Sequence, residues 1–203
     1  MAIRNDREYR YIGEFAADPE GYTVEGYAST FEPYAMLEQD GNTYYERIDP
    51  HAFDGADMSD VVFLRDHTGR VLARTKNKSI ELSIDDHGLH QRTDLSLTGA
   101  SRDMYEDIKA GNYTQMSFSF VVAEEHYDKS TRTRVIDRIK KLYDISAVSF
   151  PANPGTEIGI SMRSIFDGAI KEEQAERLAA EERQRNLEKL RLKLKLMEVD
   201  HDI

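Results

Sequence analysis

The sequence contains no cysteine, which excludes disulfides, zinc–thiolate sites and a cysteine nucleophile together. No apolar run approaches the length of a membrane span, and the opening Met1-Ala2-Ile3-Arg4-Asn5-Asp6-Arg7-Glu8 lacks the apolar centre of a secretory signal. The expectation is a protein made and used inside a cell, away from membranes. Positive charge is in deficit. The 27 Lys and Arg stand against 38 Asp and Glu, a net charge of −11, which argues against general nucleic-acid binding because that needs a basic footprint. A Gly-x-Ser-x-Gly elbow, a His-Glu-x-x-His pair and a glycine-rich phosphate loop are all missing. An α/β-hydrolase, a zinc peptidase of that type and a P-loop nucleotide site are therefore disfavoured.

What is present reads as one domain with an appendage. The segment from Tyr22 to Phe31 is aromatic and β-branched, a strand with Gly26 as a bulge or close-approach point. Asp49-Pro50 has the form of a helix start. Val61 to Leu64 is a short apolar run, read as a buried strand that delivers His67 at its end. Ser79 to Ile84 alternates, Asp85-Asp86-His87-Gly88 supplies turn chemistry, and Leu89 to Leu95 returns as the second arm of a hairpin. Residues 99–110 change to helical spacing, with Gly111 at the place of a C-cap glycine. Thr114 to Val122 is the next strand, and Arg134 to Phe150 gives one or two more. No Gly or Pro occurs from Ala169 to the end, and Leu187, Leu190, Leu194 and Met197 form a single apolar seam among strong helix formers. The expected division is a domain over 1–163 and a charged helical tail over 164–203.

Three separated residues could carry chemistry. On an extended segment Met116, Phe118 and Phe120 face one side, while Ser117 and Ser119 face the other and present two hydroxyls to a groove. His67 ends an apolar strand, where an imidazole that titrates near neutrality suits general-base work. Asp144 follows in Leu142-Tyr143-Asp144-Ile145-Ser146. Together they could supply nucleophile, base and orienter for acyl transfer. Asp66 is a poor orienter, because neighbours on a strand point to opposite faces. Each residue also has an ordinary structural reading: strand serine, strand-end histidine, surface-paired aspartate. Asp85, Asp86, His87 and His90 could be taken for a metal cluster, but they look more like a hairpin turn with the two histidines on opposite sides of Gly88. By themselves these residues support a β-rich domain with a candidate hydrolytic site, with no metal and no cofactor expected.

The pattern as a whole resembles the prohead (capsid maturation) proteases of tailed bacteriophages, the HK97-like family. The resemblance lies in Glu25-Gly26-Tyr27-Ala28-Ser29-Thr30-Phe31, Ile48-Asp49-Pro50-His51-Ala52-Phe53, the histidine after an apolar strand, Asp86-His87-Gly88-Leu89, Met116-Ser117-Phe118-Ser119-Phe120, and Leu142 to Pro154. It implies an α+β, mostly β fold shared with herpesvirus assembly proteases: an antiparallel β-barrel with surrounding helices, here with a charged C-terminal helix added. It implies a serine endopeptidase with Ser117 and His67 at the motif positions. Asp144 stands at the third position, with His90 the competing orienter for a Ser-His-His site. The chain departs from the family where Ser119 replaces a usual glycine and Thr68 a usual acid. Substrates implied are capsid and scaffold segments, and the chain itself, inside an immature capsid in the host cytoplasm. A homodimer is implied by the fold relatives. The rival of a different class is a non-catalytic scaffold or assembly protein that keeps the fold, and a metal-dependent hydrolase stands third.

Overall fold

The structure is a computed structural model and describes residues 7–149 and 157–199. Pro151 to Pro154, the end of one motif above, lie outside the described residues, as do the side chains of Leu194 and Met197. The chain divides into two compact units, Met1–Thr156 and Glu157–Ile203.

The first unit is mostly β. Its strands are β1 (Glu8–Ala17), β2 (Thr23–Thr30), β3 (Tyr34–Gln39), β4 (Asn42–Ile48), β5 (Val62–Arg65), β6 (Thr68–Arg74), β7 (Ile80–Ile84), β8 (Gly88–Asp94), β9 (Gln115–Asp128) and β10 (Thr133–Val148). Helix α1 (Gly99–Lys109) lies between β8 and β9. Thr98 caps it by accepting the Ser101 N–H, and Gly111 at φ +81° takes the left-handed position past its end. The strands follow the order β3-β4-β10-β9-β1-β2-β8-β7, with β5 and β6 branching from β10. This path has two ends, and no closed barrel is found among the described residues. The pairing is also not all antiparallel: β4 and β5 both run parallel to β10.

Several expectations change. Asp49-Pro50 opens no helix. Ala52 N–H reaches the Asp49 carbonyl and Asp54 N–H the His51 carbonyl, giving consecutive turns that end at Gly55, φ +79°. The Asp49 side chain accepts the His51 N–H, the local bond that favours a turn over a helix. The irregularity in β2 falls at Ala28, between Tyr27 and Ser29, and not at Gly26. The tail helix α2 runs over Glu157–Val199, starting earlier than the composition change near Ser164. Among the described residues no helix is long and apolar enough to cross a membrane.

The core of the β unit is continuous. Phe118, Phe120, Leu142 and Ile145 are wholly buried, with Phe63, Leu89 and Met104 in the same cluster. Truncating such a phenylalanine costs about 3–5 kcal/mol. Beside this core lies a buried ionic group. Glu46 on β4 accepts from Arg10 on β1 (2.6 Å to Oε2), from Arg134 on β10 (2.6 Å) and from the Tyr34 hydroxyl on β3. Arg134 also pairs with Glu8 at 2.7 Å. The group holds β1 and β4 to β10, and so fixes β1 against the strand that carries Ser117.

Candidate active site

Two strand pairings and one hairpin bring the site together. Across the β9–β10 ladder Ser117 stands opposite Ser146, and Ser119 opposite Asp144. Directly opposed residues share a face, so all four project to the same side, while Phe118 and Ile145 oppose each other on the core side. Asp144 reaches that face through a β-bulge. Leu142 pairs with Phe120 and Asp144 with Ser119, so Tyr143 is an extra residue on β10. Simple alternation would place Asp144 on the side of Leu142, in the core. The bulge reverses its direction, a recognised use of the device beside active sites.

His67 arrives from a different element. Arg65 pairs with Thr68, leaving Asp66 and His67 as a two-residue turn with φ +48° and +56°. These are the signs of a type I′ turn, which usually takes Asn-Gly. A non-glycine residue held there costs on the order of 1–3 kcal/mol, a strain that must be supported by its surroundings. Here β5 supports it by running parallel along β10, from Val62 beside Asp144 to Arg65 beside Ala147. Asp66 N–H donates to the Ala147 carbonyl (3.0 Å), and Asp66 Oδ1 accepts the Ser149 N–H (3.1 Å). The turn is thereby fastened to the strand that bears the aspartate.

The resulting contacts form a line. Ser117 Oγ lies 2.5 Å from His67 Nε2, and His67 Nδ1 lies 2.6 Å from Asp144 Oδ1. An ionised carboxylate has no hydrogen to give, so Nδ1 carries the proton and Nε2 accepts from the Ser117 hydroxyl. Ser119 donates to Asp144 Oδ2, and Ser146 donates to Asp144 Oδ1 at 2.8 Å while lying 3.2 Å from His67 Nδ1. The Tyr9 ring on β1 meets the imidazole edge-on, centroids 4.7 Å apart. Burial acts to raise the Asp144 pKa. The His67 hydrogen bond and charge, with the Ser119 and Ser146 hydroxyls, outweigh it and hold the carboxyl below its ordinary value. Ser117 and Ser119 are fully buried rather than open to a groove, and the His67 side chain keeps only 10% of its surface.

The structure thus brings Ser117, His67 and Asp144 together. His90 lies elsewhere, on the β2–β8 pair, with its ring against Tyr27 at 5.1 Å. Asp85 accepts the Tyr27 hydroxyl (2.7 Å) and the His87 N–H (2.8 Å), the work of a turn residue. Among the described residues no three acids or histidines are grouped as a metal site requires. Ser146 and Tyr9 were not singled out from the sequence. The spacing Asp144-x-Ser146 was the available signal, because it puts both side chains on one face.

Residues 12–192 match the family model described as Caudovirus prohead serine protease. The chain is also 29% identical over 157 residues to the prohead protease of Enterobacteria phage HK97. That similarity covers 72% of this chain and 65% of the relative, so the chain spans just under two-thirds of that protein's length. No solved structure matches. The chain belongs to the caudovirus prohead serine proteases.

Proposed function

We propose that this member of the prohead serine proteases is a serine endopeptidase that cleaves capsid or scaffold segments, and itself, during prohead maturation. The observation that carries the reading is the unbroken line Ser117 Oγ–His67 Nε2 and His67 Nδ1–Asp144. As Ser117 Oγ bonds to a peptide carbonyl carbon, its proton passes to His67 Nε2. The same proton then goes to the leaving amine as the C–N bond breaks, and water repeats the sequence on the acyl-enzyme. Asp144 holds the imidazole in the tautomer that leaves Nε2 free, and it stabilises the imidazolium. Ser117 has no exposed surface in this state, so substrate engagement includes movement of what covers it.

The same reading includes the barrel of the assembly-protease fold, supported by the bulges in β1–β9, β2–β8 and β9–β10, since bulges bend and twist a sheet. It assigns residues 1–163 to the protease domain and 164–203 to a tether to capsid or scaffold protein, and it includes a homodimer working inside the prohead in the host. The test is mass spectrometry of the purified chain during incubation. The wild type is expected to shorten with or without a chelator, while Ser117→Ala stays intact. Shortening that stops with chelator would favour the metal-dependent reading, and no cleavage of self or co-expressed capsid protein would favour a non-catalytic assembly protein.

A further inference from the structure

Asp144 is a buried carboxylate whose two oxygens are both occupied by serine hydroxyls, and neither serine belongs to the line that moves the proton. Ser119 takes Oδ2 and Ser146 takes Oδ1, where it shares that oxygen with His67 Nδ1. Both serines are wholly buried. Their aim follows from the backbone: Ser119 is the cross-strand partner of Asp144, and Ser146 lies two residues further along the same face of β10. A buried hydroxyl with a fixed acceptor has little freedom to leave it, since an unpaired one would cost about 1–3 kcal/mol.

We propose that Ser119 and Ser146 are positioning residues, which clamp both oxygens of Asp144 so that the His67–Asp144 couple stays aligned and unprotonated in its working state. The inference rests on the Ser117–His67–Asp144 reading. Its chemical content is the proton affinity of the couple. His67 and Asp144 touch, so they bind their first proton as a pair rather than as separate residues. Two hydroxyl donors stabilise the carboxylate in the unprotonated pair and draw off charge that would otherwise stabilise imidazolium. Removing them makes the pair bind that proton at higher pH, whichever of the two carries it. The protonated pair cannot take the Ser117 proton, so the acid limb of activity moves upward.

Other groups near the carboxylate leave this sign unchanged. From the β5–β6 hairpin the charged group is His67 itself, while Asp66 is turned to Ser149. From β1, Tyr9 stands opposite Ser119, and just before it the Arg7 guanidinium lies over the Tyr143 ring at 3.6 Å. From β10, the Lys141 ammonium is paired with Asp57 at 2.7 Å.

The test uses diisopropyl fluorophosphate, because it reads the nucleophile without knowledge of the cleavage sequence. Ser117 Oγ bonds to phosphorus, fluoride leaves, and the hydroxyl proton passes to His67. Labelling rates are followed by intact mass across about pH 5 to 8. The full chain is compared with Ser119→Ala, Ser146→Ala, the double variant and Ser146→Thr, with Tm recorded for each. The double variant is expected to label roughly 10-fold more slowly at the acid end and to approach the wild-type rate at the alkaline end, its limb raised by roughly one pH unit. Each single alanine variant should move part of the way, and Ser146→Thr, which keeps the hydroxyl, should restore the limb. A uniform drop at every pH, or an unmoved limb in both single variants, overturns the inference. Should Ser117→Ala label as fast as the wild type, the underlying triad reading fails instead.

Discussion

Leu142 and Asp144 lie two residues apart on one strand yet project to opposite faces of the sheet, Leu142 toward Phe120 in the core and Asp144 toward Ser119. The reversal comes from the extra residue between them, Tyr143, and it decides whether His67 has a carboxylate within reach.

Deleting Tyr143 is expected to return Asp144 to the parity of the core. A carboxylate forced in among Phe118 and Phe120 without a partner is one of the few changes that cost more than about 4 kcal/mol. Tyr143→Ala keeps the residue count and gives up mainly the Arg7 stacking, so it should fold and retain labelling of Ser117 within roughly 3-fold. Urea unfolding together with fluorophosphonate labelling separates the two. Equal behaviour of the deletion and the alanine variant would show that the bulge does not set the direction of Asp144.

Asp144→Asn and His90→Gln distinguish the two candidate orienters. An amide at 144 leaves the space filled but no longer holds Nδ1–H or stabilises imidazolium, so turnover should fall roughly a thousand- to ten-thousand-fold with little change in KM. His90→Gln should leave turnover within about 2-fold, because its ring packs on Tyr27 in another sheet region. A large loss confined to His90→Gln would move the role to His90, and a small effect in both would leave a dyad.

The turn at Asp66-His67 makes a stability prediction that bears on activity. Asp66→Asn keeps a residue that tolerates positive φ and keeps an acceptor for Ser149, so it should cost under about 1 kcal/mol. Asp66→Val places a β-branched residue at φ +48° and loses both Ser149 bonds, and should cost about 2–3 kcal/mol. Because the turn aims His67, Asp66→Val should also lower labelling of Ser117 well beyond what the stability loss alone explains. Thermal unfolding and labelling of the same samples check both halves.

Much of this arrangement was legible in the sequence. The face of Ser117 followed from alternation with Met116, Phe118 and Phe120. The apolar run before His67, the hairpin around Asp85 to Gly88 and the α1 helix with Gly111 were each set by local chemistry. What could not be read depends on pairing between distant segments. The parallel course of β5 along β10 brings His67 to Asp144 across 77 residues, and no local pattern encodes it. The Tyr143 bulge breaks the alternation on which a face assignment relies. Strand β1 was overlooked because it opens in charged residues, yet it supplies Tyr9 to the site and Arg10 to Glu46. The Asp49-Pro50 signal was real chemistry put to a different use, a turn closed by Gly55.

Acid should weaken the fold through Glu46. Burial alone would raise its pKa, but Arg10 and Arg134, with the Tyr34 hydroxyl, outweigh it and hold the folded value below the ordinary 4.5. A carboxylate depressed in the folded state contributes stability that is fully present above its unfolded pKa and is lost as pH falls through the folded one. The contribution should therefore be complete at neutral pH and fade below about pH 4.5. Glu46→Gln takes from Arg10 and Arg134 the carboxylate they share, leaving them Glu8, and should cost about 1–3 kcal/mol at pH 7. The gap between wild type and Glu46→Gln in urea midpoints should narrow as the pH is lowered below that value. A gap that stays constant from neutral to strongly acidic pH would mean that Glu46 titrates without linkage to folding.

The central claim is that Ser117, and not the neighbouring Ser119, is the nucleophile activated by His67. Peptide mapping after fluorophosphonate labelling of the intact chain tests it most directly. The account predicts a single phosphonylated residue, Ser117, with labelling retained in Ser119→Ala and lost in His67→Gln. A label on Ser119, or labelling of Ser117 at an undiminished rate in His67→Gln, would contradict it.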